Sequence, residues 1–319
     1  MAEPDTIPDT LVYLMTGFLD SGKTEFLKFT LAQDYFKIDG PTLLILCEDG
    51  EEEYDPGELR DCHVEVERVE DQADLTEEWL CEMKDKYHPD RVIVEYNGMW
   101  KVSDFEKLRL PDGWEMEQKI TTVDASTFQT YLTNLKPLFV EMVRNSEMVL
   151  FNRCEDIEPL AGYRRSVKVV SPQAEVIFED EHGEIDNIFG DDVPYDLSAP
   201  VVEIPREDYG IWYVDIMDHP DRYKGKVIEF TARVIKPKGF PPNAFLPGRM
   251  AMTCCADDTS FLGYICKSKY ASELKAGQWI TLRAKVRFGH VSIYRGTGPI
   301  LEAEHIKSAE PIEEMVYFN

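Results

Sequence analysis

The sequence predicts an α/β domain, a mostly parallel sheet flanked by helices, followed by a second, smaller β-rich domain. Three observations predict it. Short apolar runs alternate with helix-length amphipathic stretches through the first half of the chain, as strands joined by helical crossovers do. A polar, acidic stretch with Gly183, Gly190 and Pro194 then runs from Glu179 to about Ala199, with the composition of a linker. Beyond Val201 short alternating runs separated by turns suggest a small barrel of the oligonucleotide/oligosaccharide-binding type. The chain of 319 residues is long enough for two cores. The expected domains are therefore residues 1–180, a linker at 181–200, and residues 201–319.

Taken in order, Leu11 to Thr16 reads as the first strand, and a helix follows from Gly22 or Lys23 towards Gln33. Thr42 to Cys47 and Cys62 to Val69 are the next strands. Thr76 to Lys86 has helical spacing that His88-Pro89 terminates. Arg91 to Glu95 is a continuous apolar run of the kind a buried parallel strand needs, and Lys119 to Val123 is another. Ser126 to Arg144 is helical in period, but Pro137 must kink or split it. Met148 to Phe151 and Glu175 to Phe178 complete the sheet. In the second half, Val227 to Ile235 and Trp279 to Phe288 alternate strongly. Met250 to Cys254, Phe261 to Cys266, His290 to Tyr294 and Ile300 to His305 are shorter strand candidates, and Ser268 to Lys275 is a helix candidate ended by Gly277.

Composition narrows the function classes. The formal charge is −27, from 61 acidic against 34 basic residues. Such a field repels nucleic acid and anionic lipid and favours cations or basic protein surfaces. No run approaches the roughly 20 apolar residues that span a bilayer, and the acidic N-terminus lacks the basic and apolar parts of a secretory signal. A cytoplasmic location is expected. Seven cysteines without an export signal point to reduced thiols rather than a disulfide framework.

Gly17-Phe18-Leu19-Asp20-Ser21-Gly22-Lys23-Thr24 fits the phosphate-binding pattern Gly-x-x-x-x-Gly-Lys-Ser/Thr, between an expected strand and an expected helix. The glycines let successive N–H groups curl around phosphate, and the helix N-terminus adds partial positive charge. Lys23 neutralises the β- and γ-phosphates, and Thr24 offers a hydroxyl to Mg2+. A carboxylate at the end of a buried strand should serve the same ion or orient the attacking water. Glu95 holds that position, and Gly98 lets the backbone approach the γ-phosphate. Lys23 and Glu95 are thus the catalytic candidates. At Asn152-Arg153-Cys154-Glu155 the chain carries a variant of the Asn-Lys-x-Asp loop of guanine-specific proteins. Glu155 keeps the acceptor chemistry for the guanine edge, Arg153 stacks on a purine, and Asn152 braces the loop. Guanine is favoured over adenine on that logic.

With these residues assembled, residues 8–180 resemble the G3E family of P-loop GTPases, the CobW-like metal chaperones and insertases. The resemblance rests on the Gly17–Thr24 loop, Glu95-x-x-Gly98, Thr122-Val123-Asp124-Ala125, the Asn152 loop and Ser171-Pro172-Gln173-Ala174. The last implies that Pro172 lies at a base-contacting loop. The resemblance implies a P-loop hydrolase that binds GTP and couples its hydrolysis to delivery of a metal or metallocofactor to a metalloprotein client. Two departures stand out. Cys47-Glu48-Asp49-Gly50-Glu51 stands where the family has an Asn-Glu-Phe-Gly-Glu switch, and its acidic residues could still respond to magnesium or the γ-phosphate. The family's Cys-x-Cys-Cys motif is missing, with only Cys62-His63 nearby.

Residues 205–315 resemble the cysteine-pair domain of YcgQ-like partners of YcgR-type permeases, through Asp215-Ile216, Gly225-Lys226, Arg249 to Cys255 and Gly277-Gln278-Trp279. That implies a membrane permease as partner. Cys254 and Cys255, with Cys266 on a neighbouring strand, could form a soft thiolate site suited to Zn2+ or copper(I). The same cysteines could equally fill a barrel core. Three functional readings remain: a GTP hydrolase handling a metal or serving a transporter, a nucleotide-binding scaffold or permease regulator with little turnover, and a small-molecule or nucleotide kinase using the same loop, for which no second substrate pocket or acceptor-activating acid can be placed. A homodimer is compatible with each.

Overall fold

In the computed structural model, which describes residues 9–50, 52–155, 157, 160–185, 193–252, 259–294 and 296–316, the chain divides into two compact units. One lies within Met1–Glu158 and Ser171–Ile188, the other within Pro159–Val170 and Phe189–Asn319.

The first unit follows the strand–helix alternation of the sequence: β1 Thr10–Thr16, α1 Lys23–Ala32, β2 Thr42–Leu46, α2 Pro56–Asp61, β3 Val64–Arg68, α3 Glu77–Tyr87, β4 Arg91–Glu95, α4 Val102–Phe105, β5 Trp114–Asp124, α5 Phe128–Asn134, α6 Lys136–Val143 and β6 Met148–Asn152. After α7, Leu160–Val170, come β7 Glu175–Asp180 and β8 Gly183–Glu184. Pro137 splits the long helical stretch as expected, sitting in the first turn of α6 where its missing N–H costs nothing. The sheet order is β3-β2-β4-β1-β5-β6-β7-β8, with β1 to β7 parallel and β8 antiparallel. The residues of β2 and β4 are buried throughout, as strands covered on both faces must be. Leu27 and Leu31 of α1 form core with Met15, Leu44 and Ile93 of the sheet.

From β1 the sheet extends one way through β4, β2 and β3, and the other way through β5, β6 and β7. The order reverses beside β1, and in such sheets ligands bind at that reversal, outside the carboxyl ends of the strands. Register places the relevant ends together: Met15 opposite Glu95, Leu46 opposite Glu95, and Asp124 opposite Asn152.

The second unit holds β9 Val202–Glu203, α8 Tyr209–Asp218, α9 Pro220–Tyr223, β10 Val227–Ile235, β11 Ala244–Met252, β12 Thr259–Gly263, β13 Cys266–Lys267, β14 Trp279–Val291 and β15 Gly296–Ser308. The strands β10, β11, β13, β15 and β14 close into a ring, because β10 pairs with both β11 and β14. The pairing of β13 with β15 is parallel. This is the strand order of a five-stranded oligonucleotide/oligosaccharide-binding barrel. Alternate residues of β10 and β14 fill its core with Trp212 and Phe245. α7 counts with this unit: Arg164 Nε donates to Asp218 Oδ2 at 2.8 Å, and Val169 joins the core.

The barrel differs in detail from the sequence reading. The expected helix at 268–275 contracts to one 3₁₀ turn at Ala271–Glu273. The expected strand at 261–266 divides in two around Tyr264-Ile265. The expected strand at 290–294 is the end of β14 and a 3₁₀ turn. No helix among the described residues is long and apolar enough to cross a membrane.

Candidate functional site

Each candidate side chain is set by the carboxyl end of a strand. β1 ends at Thr16 and runs into the loop from Gly17 to Gly22. Gly17 has φ +146°, and a Cβ there would stand 2.4 Å from Ser21 Oγ and 2.5 Å from the Thr122 carbonyl oxygen. Gly22 caps α1 in the left-handed region with no side-chain cap, which leaves the first-turn N–H groups to an outside acceptor. Ser21 Oγ lies 2.9 Å from Thr122 Oγ1, tying the loop to β5. A Cβ on Gly98 would stand 2.5 Å from the Gly17 carbonyl oxygen and 2.8 Å from Phe18 Cα, so only glycine lets the turn after β4 approach the loop this closely.

Lys23 is 3% exposed. Its Nζ donates to the carbonyl oxygens of Gly17, at 3.0 Å, and Phe18, at 2.9 Å, and forms an ion pair with Glu48. Thr24 Oγ1 donates to Glu95 Oε1 at 2.6 Å, and the Tyr54 hydroxyl donates to Glu95 Oε2 at 2.6 Å. Burial, followed by the Glu95 charge and hydrogen bond, pushes the Tyr54 hydroxyl well above its ordinary range. The residue after β2 is pinned as well: Cys47 N–H donates to the Glu95 carbonyl at 3.0 Å, and Asn97 Nδ2 donates to the Cys47 carbonyl at 3.1 Å. The Cys47 thiol is pushed up to about 12, first by burial and then by Glu48 and Glu95.

On the other flank Asn152 Nδ2 donates to the Ser21 carbonyl at 2.9 Å. Arg153, at φ 53°, turns back to the loop and donates to the Asp20 carbonyl at 2.9 Å and to Asp124 Oδ2 at 2.6 Å. Burial opposes ionisation of Asp124, but the hydrogen bonds from Ser126 and Arg153 outweigh it and hold the carboxyl below its usual range. Phe18 stacks on Tyr131 at 4.2 Å between centroids. Leu19 stands 47% exposed at the tip of the loop.

The structure thus brings together Gly17 to Thr24, Glu95, Gly98, Asn152 and Arg153. Glu155 and Pro172 lie exposed on the loops after β6 and before β7. Two residues outside the list of candidate site residues join the site: Glu48, one of the acidic switch residues, which contacts both Lys23 and Gly98, and Tyr54, to which the sequence reading gave no role. Only the acidic character of the Cys47–Glu51 segment hinted at the first. The loop cradle and the paired Thr24 and Glu95 oxygens fit a nucleotide phosphate chain and a hard divalent cation.

In the barrel, Cys266 is fully buried in the core, and burial drives its thiol pKa upward. Cys254 and Cys255 lie outside the described residues. Cys62 Sγ donates to the Leu31 carbonyl at 3.6 Å. Among the described residues no group of three or more His, Cys, Asp or Glu could hold a metal ion.

A parallel sheet carrying this loop at its switch point defines a P-loop nucleotide-binding protein. The chain belongs to the family of the CobW/HypB/UreG nucleotide-binding domain, whose model matches residues 11–178. Residues 191–318 match a second family model, the DUF1980 C-terminal domain. Among solved structures the chain is similar to the Zn(II)-bound YjiA GTPase from E. coli, at 16% identity and a TM-score of 0.42 over 80% of this chain and 89% of that one. A Zn(II)-bound triple mutant of YjiA gives 15% and 0.42, over 80% and 88%. The hydrogenase maturation factor HypB from Archaeoglobus fulgidus gives 16% and 0.38, over 54% and 82%. No curated protein matches the chain in sequence.

Proposed function

We propose that this protein binds GTP with Mg2+ and hydrolyses it, and that the nucleotide state governs its handling of a metal or its fit to a transport partner. The observation that carries the hydrolase reading is the convergence of the Lys23 ammonium, the Gly98 N–H, and the Thr24 hydroxyl with Glu95 at one strand edge. Lys23 neutralises the terminal phosphates, and the Gly98 N–H donates to the γ-phosphate. Thr24 and Glu95 hold the cation, which supplies charge neutralisation to the phosphate chain. Water attacks the γ-phosphorus in line, the bond to the β–γ bridging oxygen breaks, and GDP and phosphate leave. Asn152 braces the loop beneath the nucleotide through Ser21, and Glu155 accepts from the guanine edge.

The assay is phosphate release from GTP and from ATP, in magnesium and in chelator, by the wild-type chain and by Lys23→Ala and Thr24→Ala. Magnesium-dependent release from GTP, lost in both variants, is expected. Equal release by wild type and variants would overturn the assignment. The metal half of the reading rests on family membership and on Cys254 and Cys255. Its test is metal content of anaerobically purified protein against the Cys254→Ser/Cys255→Ser variant. Near-stoichiometric zinc that the variant loses supports it; no metal in either after reconstitution contradicts it.

A further inference from the structure

We propose that Glu48 occupies the place of the γ-phosphate, so that its carboxylate selects against nucleoside triphosphate relative to diphosphate; this rests on the nucleotide-binding reading above. One oxygen of the Glu48 carboxylate pairs with Lys23 Nζ. The other accepts the Gly98 N–H at 3.0 Å. These two donors, a lysine from the phosphate loop and a backbone N–H from the turn after β4, are the pair that the proposed reaction assigns to the terminal phosphate. A carboxylate is the closest side-chain copy of a phosphate's acceptor oxygens: anionic, with two oxygens able to take one charged and one backbone donor at once.

The pair is buried, with the Lys23 side chain 2% and the Glu48 side chain 8% exposed. Buried pairs of this kind persist only with their hydrogen bonds satisfied, and Lys23 meets that condition through Gly17 and Phe18. The adjoining cavity, lined by Lys23, Thr24, Glu48 and Glu95, measures about 150 Å3, below the roughly 300–1,000 Å3 of an ordinary ligand pocket. The Glu48 side chain takes up part of the space that a nucleotide's phosphates need.

The backbone makes the carboxylate displaceable. Cys47 is fixed to β4 by its N–H and carbonyl, but Asp49, Gly50, Glu52 and Glu53 are exposed, Asp49 and Glu52 being held by surface ion pairs with Arg68 and Lys28, so Glu48 can swing out without unpacking core. A triphosphate brings negative charge onto the same two donors and must evict the carboxylate. A diphosphate shares Lys23 through its β-phosphate but does not reach the Gly98 N–H, so Glu48 keeps that second contact.

The experiment measures dissociation constants for GDP and for a hydrolysis-resistant GTP analogue, both in magnesium, on wild type, Glu48→Gln and Glu48→Ala. Glutamine keeps the shape and removes the charge, so it carries the test should alanine fail to fold. The ratio of triphosphate to diphosphate affinity should rise about tenfold or more in both variants, the range expected on removing one charged hydrogen-bonded competitor. An unchanged ratio, with wild type binding both nucleotides, overturns the role of Glu48 alone. A fall in the ratio also overturns it, because Glu48 would then assist the triphosphate or its cation. If none of the three proteins binds either nucleotide, the nucleotide-binding reading fails and takes this one with it.

Discussion

Replacing Gly22 by alanine tests the phosphate loop where its geometry is most demanding. Gly22 sits at φ +88°, and an added Cβ would stand 2.4 Å from Asn152 Nδ2. The left-handed conformation costs an L-residue about 1–2 kcal/mol. The clash falls on the far end of a flexible side chain, so Asn152 should swing away and lose its hydrogen bond to the Ser21 carbonyl, about 1 kcal/mol more. The expected total is about 2–3 kcal/mol, or roughly 4–12 °C of melting temperature for a unit of this size. Asn152→Ala alone should cost about 1 kcal/mol or less, because it also removes the buried Oδ1 that has no partner. In the Gly22→Ala background the Asn152 bond is already gone, so the double variant should melt close to Gly22→Ala. That is a coupling of about 1 kcal/mol, measurable in a double-mutant cycle by calorimetry on the transition of the first unit. Full additivity, or a neutral Gly22→Ala, would refute the argument.

Two further outcomes follow from buried groups in the same unit. Lys23→Ala takes away the counter-charge of Glu48, which can still swing out to water, so it should destabilise the nucleotide-free protein by about 1–3 kcal/mol, and adding Glu48→Ala should restore part of the loss in urea titrations. The Cys47 and Cys154 thiols are both pushed up to about 12, chiefly by burial, from an ordinary 9.0. A raised folded pKa means their contribution to stability is whole below about pH 9 and lost as pH rises through about 12; mass mapping of iodoacetamide adducts at pH 8 should find Cys81, which is exposed, modified well before either.

Much of the site was legible because its signals are local. The spacing of Gly17, Gly22, Lys23 and Thr24 needs no knowledge of distant contacts, and the apolar run Val92-Ile93-Val94 announces a buried strand whose end must be Glu95. Pro137 split its helix for reasons that act within one turn. The contacts that the sequence does not show have the opposite character. Glu48 meets Lys23 and Gly98 only because β2 lies beside β4 in the folded sheet, a pairing that no sequence spacing encodes. Tyr54 reaches Glu95 for the same reason. α8 escaped notice because Tyr209–Asp218 is apolar on most sides and presents little amphipathic stripe. α7 sits between two strands of the first unit in sequence yet counts with the second, through long-range contacts such as Arg164 with Asp218. Arg153 turns back to Asp20 and Asp124 through a left-handed backbone that its side-chain type does not signal.

The central claim is that the Gly17–Thr24 loop holds a guanine nucleotide. Equilibrium titration with GTP, GDP and ATP in magnesium, beside a Lys23→Ala variant checked for its fold by circular dichroism, tests it most directly. Binding of the guanine nucleotides in preference to ATP, and its loss in the variant, is expected. Saturable binding that Lys23→Ala leaves untouched, or no nucleotide binding by the wild-type chain, would contradict it.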